Sequence, residues 1–248
     1  FKQASQKPQT KSGAKKNLAK KATPKKALKS KTMRKMSSTA NVPKVPHWIN
    51  GKEVQSTTDK WFPIVSPATG QTLSLCPQAT PAELEAAAAV AVEAQKAWRL
   101  IPVAVRQRHM MKLINLIAQN EDEIVQSIVN ETNKTVADAK GDVFRGVEVL
   151  EFQLGAINHM KGETVEQVAR DVDTYSYRQP IGVAGSVMPF NFPFMLPAWC
   201  FGPALISGNG LVMKPSEKTP TASLILARLA KEAGFPDGLF QVVNGAHD

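Results

Sequence analysis

An α/β fold built on a parallel sheet is expected for this chain, on three grounds. Three short apolar runs, 181–188 (IGVAGSVM), 211–213 (LVM) and 239–243 (LFQVV), are separated by two helical stretches, 194–207 and 221–233. These runs are nearly continuous in apolar residues, as strands buried on both faces are, and do not alternate as half-exposed strands do. Strand, helix, strand, helix, strand is the order of a parallel α/β unit. Ahead of it, residues 80–160 carry helical signals, while residues 1–46 carry almost none of either kind. The expected organisation is a tail over 1–46, a mostly helical region over 47–170, an arm beginning at 171–180, and a first βαβαβ unit over 181–248.

The tail comes first. The 248 residues include 31 Lys+Arg and 21 Asp+Glu, a net charge of +10. Residues 1–46 hold 14 of those cations, 13 of them Lys, and no acid, so the remaining 202 residues carry a net −4. A basic surface for nucleic acid or an anionic membrane is therefore not a property of the body. The tail is rich in Lys, Ser, Thr and Ala, cannot bury enough apolar surface to offset its ordering entropy, and is expected to be disordered. A solvated and dispensable tail, a presequence and a nucleic-acid-binding arm all stay open for it. Its shortage of Arg counts against the presequence. The chain opens on Phe1, so its start is expected upstream or at Met33 or Met36. No uninterrupted apolar run reaches the ~18 residues of a membrane span. The most apolar stretch, 192–206, is broken by Pro193, Pro197 and Pro203. Two cysteines and four histidines support neither a disulfide framework nor a zinc cluster, and a reducing compartment fits them.

From residue 47 the composition becomes globular. Residues 48–54 read as strand and turn, with Asn50-Gly51 at the bend. Ser66-Pro67-Ala68-Thr69-Gly70 is a second turn, followed by a short strand to Cys76. Thr80-Pro81-Ala82-Glu83 opens a helix with a capping box and Pro at its first position, and the alanine-rich helix runs to about Trp98. Helical stretches follow near 103–120, 122–130 and 135–160. Residues 173–179 alternate like an exposed strand. The helix over 221–233 should stop at Gly234.

Ligands of open parallel sheets bind beyond the carboxyl ends of the strands. Two segments lie there, Pro189-Phe190-Asn191-Phe192-Pro193 and Lys214-Pro215-Ser216-Glu217-Lys218. Asn191 offers amide donors to a developing oxyanion. Lys214 and Glu217 could share a nucleotide, one donating to it and the other accepting from ribose hydroxyls. The alternatives are that Asn191 caps the next helix and that Lys214 and Glu217 face solvent. A glycine-rich dinucleotide fingerprint is absent: Gly208-Asn209-Gly210 precedes a strand and reads as a helix stop and turn.

The motifs PFNFP (189–193), MKPSEKTP (213–220) and PDGLFQVVNG (236–245) resemble those of the aldehyde dehydrogenase superfamily. INGK (49–52), SPATG (66–70), GDVFRG (141–146), GET (162–164) and DTYSYRQPIGV (173–183) are similar to its CoA-acylating methylmalonate-semialdehyde dehydrogenases. The resemblance covers residues 47–247. It implies a partial Rossmann-type NAD-binding sheet behind an α-helical N-terminal region, with an oligomerisation arm near 171–180. It implies NAD as cofactor and coenzyme A as co-substrate, a semialdehyde acid as substrate, and a homodimer or homotetramer. It also implies a part in valine and pyrimidine breakdown and a mitochondrial location, with cytoplasm as the alternative given the Lys-biased tail.

By the same resemblance, Asn191 holds the oxyanion, Lys214 and Glu217 bind the adenosine ribose, and Met188 and Phe190 flank the cofactor. Lys218 joins them at a position where this subfamily usually has Arg, and Met188 replaces a smaller residue. Arg145 matches the arginine that pairs with the substrate carboxylate. The segment around Arg145 is largely apolar, so a guanidinium there needs an anion or a water-lined edge, and an internal pair with Glu148 or Glu151 is the alternative. No metal ligands are expected. The family's cysteine nucleophile lies in a later domain, and neither Cys76 nor Cys200 matches it; both read as packed small hydrophobes. Two explanations follow from that. Either the chain is part of a longer dehydrogenase and inactive alone, with an exposed edge on its last strand, or it is a non-catalytic protein.

Overall fold

The computed structural model describes residues 42–246, so the reading of a disordered tail over 1–41 lies outside the described residues. β1 (His47–Ile49) and β2 (Lys52–Val54) form the expected hairpin. Asn50 and Gly51 take φ of 52° and 71°, the left-handed pair that matches a two-residue turn to the strand twist. β3 (Trp61–Val65) pairs with β4 (Thr72–Pro77) in a second hairpin. Only β4 was expected, because Pro63 interrupts the strand signal of β3. Residues 42–46, grouped with the tail on composition, belong instead to this unit. Val45 N donates to Leu75 O and Leu75 N to Pro43 O, both at 2.9 Å, and Val45 is buried against Ile64 and Cys76.

α1 (Pro81–Trp98) starts with the capping box: Glu83 N donates to Thr80 Oγ at 3.3 Å and Thr80 N to Glu83 at 2.8 Å. The same carboxylate accepts from Thr57 N and Ser56 Oγ, which ties the β2–β3 connection to the helix. Partial burial pushes its pKa up, but the hydrogen bonds from Thr80, Thr57 and Ser56 outweigh it and hold the carboxyl at about 2. That stabilisation is present above the ordinary Glu range and is lost as pH falls through about 2.

α2 (Val103–Gln119), α3 (Glu121–Thr132) and α4 (Val136–Gln153) form an outer helical layer. The helix expected to reach residue 160 ends at Gln153, where Gln107 Nε2 donates to Leu154 O, and a short 3-10 turn, Ala156–Asn158, follows Gly155. β5 (Thr164–Ala169) and β6 (Val172–Tyr175) make a hairpin exposed along its whole length. Sequence suggested a strand over 173–179; β6 lies one residue earlier and stops at Tyr175.

β7 (Val183–Val187), α5 (Met195–Ile206), β8 (Gly210–Lys214), α6 (Thr221–Ala233) and β9 (Phe240–Val242) follow the expected order, with β7, β8 and β9 parallel. The full sheet runs β2-β1-β9-β8-β7. The edge expected to be exposed on the last strand is covered, since β1 pairs antiparallel with β9 at Trp48 and Val242. Among the described residues, the free edge of the parallel set is β7, where Val187 is 72% exposed. Leu211, Met213 and Val242 pack with α5 and α6 on one face; Val212 and Val243 pack with Ala87 and Ala91 of α1 on the other. No described helix is long and apolar enough to cross a membrane.

Neither helix behind the sheet caps its own start. Their N-cap residues, Phe194 for α5 and Pro220 for α6, supply no side-chain hydrogen bond. The acceptors come from the outer layer. Asp142 of α4 accepts from Met195 N at 2.8 Å, and Glu131 of α3 accepts from Thr221 Oγ at 2.5 Å and Thr221 N at 3.4 Å. Burial pushes Glu131 up to about 7, against the lowering effect of its Thr221 hydrogen bonds.

Two consequences can be measured. A folded-state pKa above the unfolded one means that the protonated Glu131 contributes stability below about pH 4.5 that is lost as pH rises through 7. Wild type should therefore lose roughly 3 kcal/mol or less between pH 5 and 8 through this group. Glu131→Gln should flatten that slope in urea unfolding; an unaltered slope would contradict the assignment. At Gly146 a Cβ would lie 2.8 Å from the Phe194 ring and 3.3 Å from Met195 Cα. Gly146→Ala should destabilise by about 1–3 kcal/mol. Gly141→Ala, whose Cβ meets nothing within 4 Å, should be neutral or mildly stabilising in the same assay.

Candidate functional site

Because β7, β8 and β9 run parallel, the three segments that follow them emerge at one end of the sheet. Met188 N donates to Lys214 O at 2.9 Å, extending the ladder one residue past β7. Its side chain is buried in the main core. Met188 thus spends both its N–H and its side chain on the fold. Phe190 is exposed, and Lys218 Nζ of the neighbouring loop sits 4.6 Å from its ring centroid. The structure therefore brings the two predicted loops into contact.

Asn191 is exposed, and its amide makes no hydrogen bond within the described chain. The alternative in which it caps α5 is not realised, since Asp142 does that. Lys214 is half-buried: Nζ donates at 3.0 Å to Pro215 O and at 3.0 Å to Gly245 O. An ammonium has three N–H donors, so one is left to reach outward. Glu217 is also half-buried, with Ser216 Oγ 3.4 Å away, and Lys218 N donates to Ser216 Oγ at 3.3 Å. One outward donor and one carboxylate three residues apart suit the vicinal hydroxyls of a ribose.

A cleft of about 850 Å³ opens beside this end of the sheet, between Leu84 and Val92 of α1 and Val187, Lys214 and Asn244. Asn244 is set by a buried histidine: Asn244 N donates to His47 Nδ1 at 3.0 Å, so the ring proton lies on Nε2, facing Glu83 at 3.6 Å. Burial lowers the His47 pKa against the pull of Glu83, so the ring is neutral at physiological pH.

Arg145 lies on α4, exposed, with Nη1 2.8 Å from Glu148 Oε2. The internal pair weighed as its alternative is therefore formed. An exposed i,i+3 pair is worth well under about 1 kcal/mol and opens readily to a competing carboxylate. Asp142 and Gly146, to either side of Arg145, both touch the start of α5, which brings this helix turn close to the Asn191 loop.

Sequence reasoning missed Lys134 and Asp142. Lys134 Nζ lies 3.1 Å from Asp142 Oδ2 and 4.3 Å from the Phe192 ring centroid. The signal was an Asp inside GDVFRG on a helix otherwise apolar toward the core. Neither cysteine sits in surroundings that favour a thiolate. Burial, with Glu217 adding to it, pushes the Cys76 thiol up to about 12, and burial also raises Cys200. A reactive cysteine needs the opposite shift. Among the described residues no cluster of His, Cys, Asp or Glu could hold a metal ion.

The fold and the sequence have counterparts among known proteins. The aldehyde dehydrogenase family model matches residues 54–248. Over 211 residues the chain is 43% identical to a mitochondrial acylating methylmalonate-semialdehyde/malonate-semialdehyde dehydrogenase of Rattus norvegicus, covering 85% of this chain and 39% of the relative. A protein of the same name, qualified as probable, from Dictyostelium discoideum is 46% identical over 212 residues, 86% of this chain and 40% of its own. The chain thus spans about two fifths of the length of these relatives. A solved structure of methylmalonate-semialdehyde dehydrogenase from Oceanimonas doudoroffii superposes with a TM-score of 0.79 at 38% identity, over 82% of this chain and 42% of that one. A Sinorhizobium meliloti protein named for the same activity and complexed with NAD gives 0.81 at 40% identity, over 83% and 42%. With the family's fold present and its sequence matched from residue 54 onward, the chain belongs to the aldehyde dehydrogenase family.

Proposed function

We propose that this chain forms the cofactor-binding part of an NAD-dependent, CoA-acylating dehydrogenase of methylmalonate and malonate semialdehydes. The observation that carries the reading is the meeting of the Asn191 and Lys214–Lys218 loops at the carboxyl end of β7 and β8. Relatives with the acylating name supply the reaction class. Their names also support a mitochondrial site of action. A part in valine and pyrimidine breakdown belongs to the same proposal and rests on the sequence resemblance alone.

Lys214 and Glu217 would hold the adenosine ribose of NAD through the outward ammonium N–H and the carboxylate. Phe190, steadied by Lys218, would wall the cofactor, with Met188 contributing through its carbonyl. NAD, when bound, supplies the hydride acceptor for aldehyde oxidation. Asn191 would donate its amide N–H to the oxyanion formed when a thiolate adds to the aldehyde. The thiolate would come from outside this chain, since burial disfavours a thiolate at Cys76 and at Cys200. Coenzyme A would accept the acyl group. Arg145 would exchange Glu148 for the substrate carboxylate, a charge-assisted pairing. The exposed β5–β6 hairpin, with Val165, Val168, Val172 and Tyr175 outward, would serve a homodimer or homotetramer.

The purified 248-residue chain should form no NADH from malonate semialdehyde, NAD and CoA; turnover would overturn the account of its cysteines. In a full-length enzyme carrying this segment, Arg145→Leu should raise KM for the semialdehyde acids by about tenfold to a hundredfold. The KM for propanal should barely move. Equal effects on both substrates would make Arg145 a structural partner of Glu148 only.

A further inference from the structure

We propose that Asp142, clamped by Lys134, is a positioning residue for Asn191. This rests on the oxyanion role given to Asn191 above. Asn191 is exposed and unanchored by its own amide, so its place is decided by its flanks. Upstream, Lys218 Nζ stands 4.6 Å from the Phe190 ring centroid, and Met188 is fixed to the β8 ladder. Downstream, the chain must turn into α5, whose first N–H groups have no partner within their own helix.

Asp142 supplies that partner with Oδ1, 2.8 Å from Met195 N. Its other oxygen holds Lys134 Nζ at 3.1 Å, and that ammonium stands 4.3 Å over the ring of Phe192, the residue after Asn191. One buried carboxylate therefore governs both positions 192 and 195. A carboxylate at a helix N-terminus is favoured by the helix dipole, and its bond to a backbone N–H is of the strong, charge-assisted kind. Gly146, one helical turn further along α4, lets Phe194 sit against the helix backbone, so the loop has a wall as well as a tether. Asp142 itself is 2% exposed and bonded inward, so it acts through the loop. The second loop has its own anchor, Glu131 on Thr221.

The test uses a full-length enzyme carrying this segment, with Asp142→Asn, Lys134→Met and, as a control, Lys140→Ala on the exposed side of α4. Displacement of an oxyanion donor by about an ångström is expected to cost on the order of tenfold to a hundredfold in kcat. Asp142→Asn and Lys134→Met should each show a loss of that order. The Kd for NAD should change less than kcat does, because Lys214 and Glu217 lie on the loop held by Glu131 and Phe190 is steadied from that loop by Lys218. Amide exchange over residues 190–195 should quicken. Asn191→Ala should cost far less in the Asp142→Asn background than in wild type, as groups acting through one another do. Unchanged kcat in folded variants, or a loss that adds in full to that of Asn191→Ala, would overturn the proposal. If Asp142→Asn does not fold, Lys134→Met decides by the same criteria. A wild type that neither binds NAD nor turns over would instead sink the functional reading. In that case quickened exchange over 190–195 supports the tether, and unchanged exchange refutes it.

Discussion

The parallel ladder of β7, β8 and β9 is the constraint on which the rest depends. Five matched pairs, from Val183 with Gly210 to Val187 with Lys214, leave the first two strands no slack relative to each other. Met188 N on Lys214 O and Val243 N on Met213 O carry the pairing beyond the strand ends. Three chain exits are thereby fixed at one level, so polar residues far apart in sequence share a small volume. The sheet provides their height. The helices behind it, held at their starts by α3 and α4, provide their lateral placement.

Charge is used sparingly inside this body. Asp142 and Glu131 face helix N-termini, and Arg106 lies at the opposite end of α5, beside Gly208, where its Nη1 takes up the space a Cβ would need. A cation there meets the negative end of the helix dipole, while burial lowers its pKa. Gln95 and Trp98 of α1 satisfy Gly208 O and Leu205 O at the same helix end. The helix that follows the Asn191 loop is thus electrostatically matched at both ends by residues from other elements.

The apolar runs of the parallel strands and the Thr80–Glu83 capping box were legible because their causes are local: burial on both faces, and a hydrogen-bonded ring three residues wide. β3 was hidden by Pro63, and β5 by a composition made polar through its exposure on every side. The pairing of residues 43–45 with β4 and of β1 with β9 has no local signature, since each partner is supplied from a distant part of the chain. At the candidate site, the meeting of the loops that carry Asn191, Phe190, Lys214, Glu217 and Lys218 was legible from strand-end position, while the roles proposed for them come from the resemblance. Asp142 was not legible, because a carboxylate on a helix reads as solvent-facing until the helix start 53 residues later is placed against it.

The bond between β1 and β9 also sets an order of events in folding. Trp48 and Val242 are near opposite ends of the described chain, and a contact of that separation must wait for nearly everything between. At ribosomal speeds of ~5–20 residues per second, the β1–β2 hairpin emerges roughly 10–40 seconds before the strand that completes it. A lone two-stranded hairpin is marginal in water, so Trp48 spends that interval without its native neighbours. The first hairpin of the described chain is thus made long before the strand it pairs with.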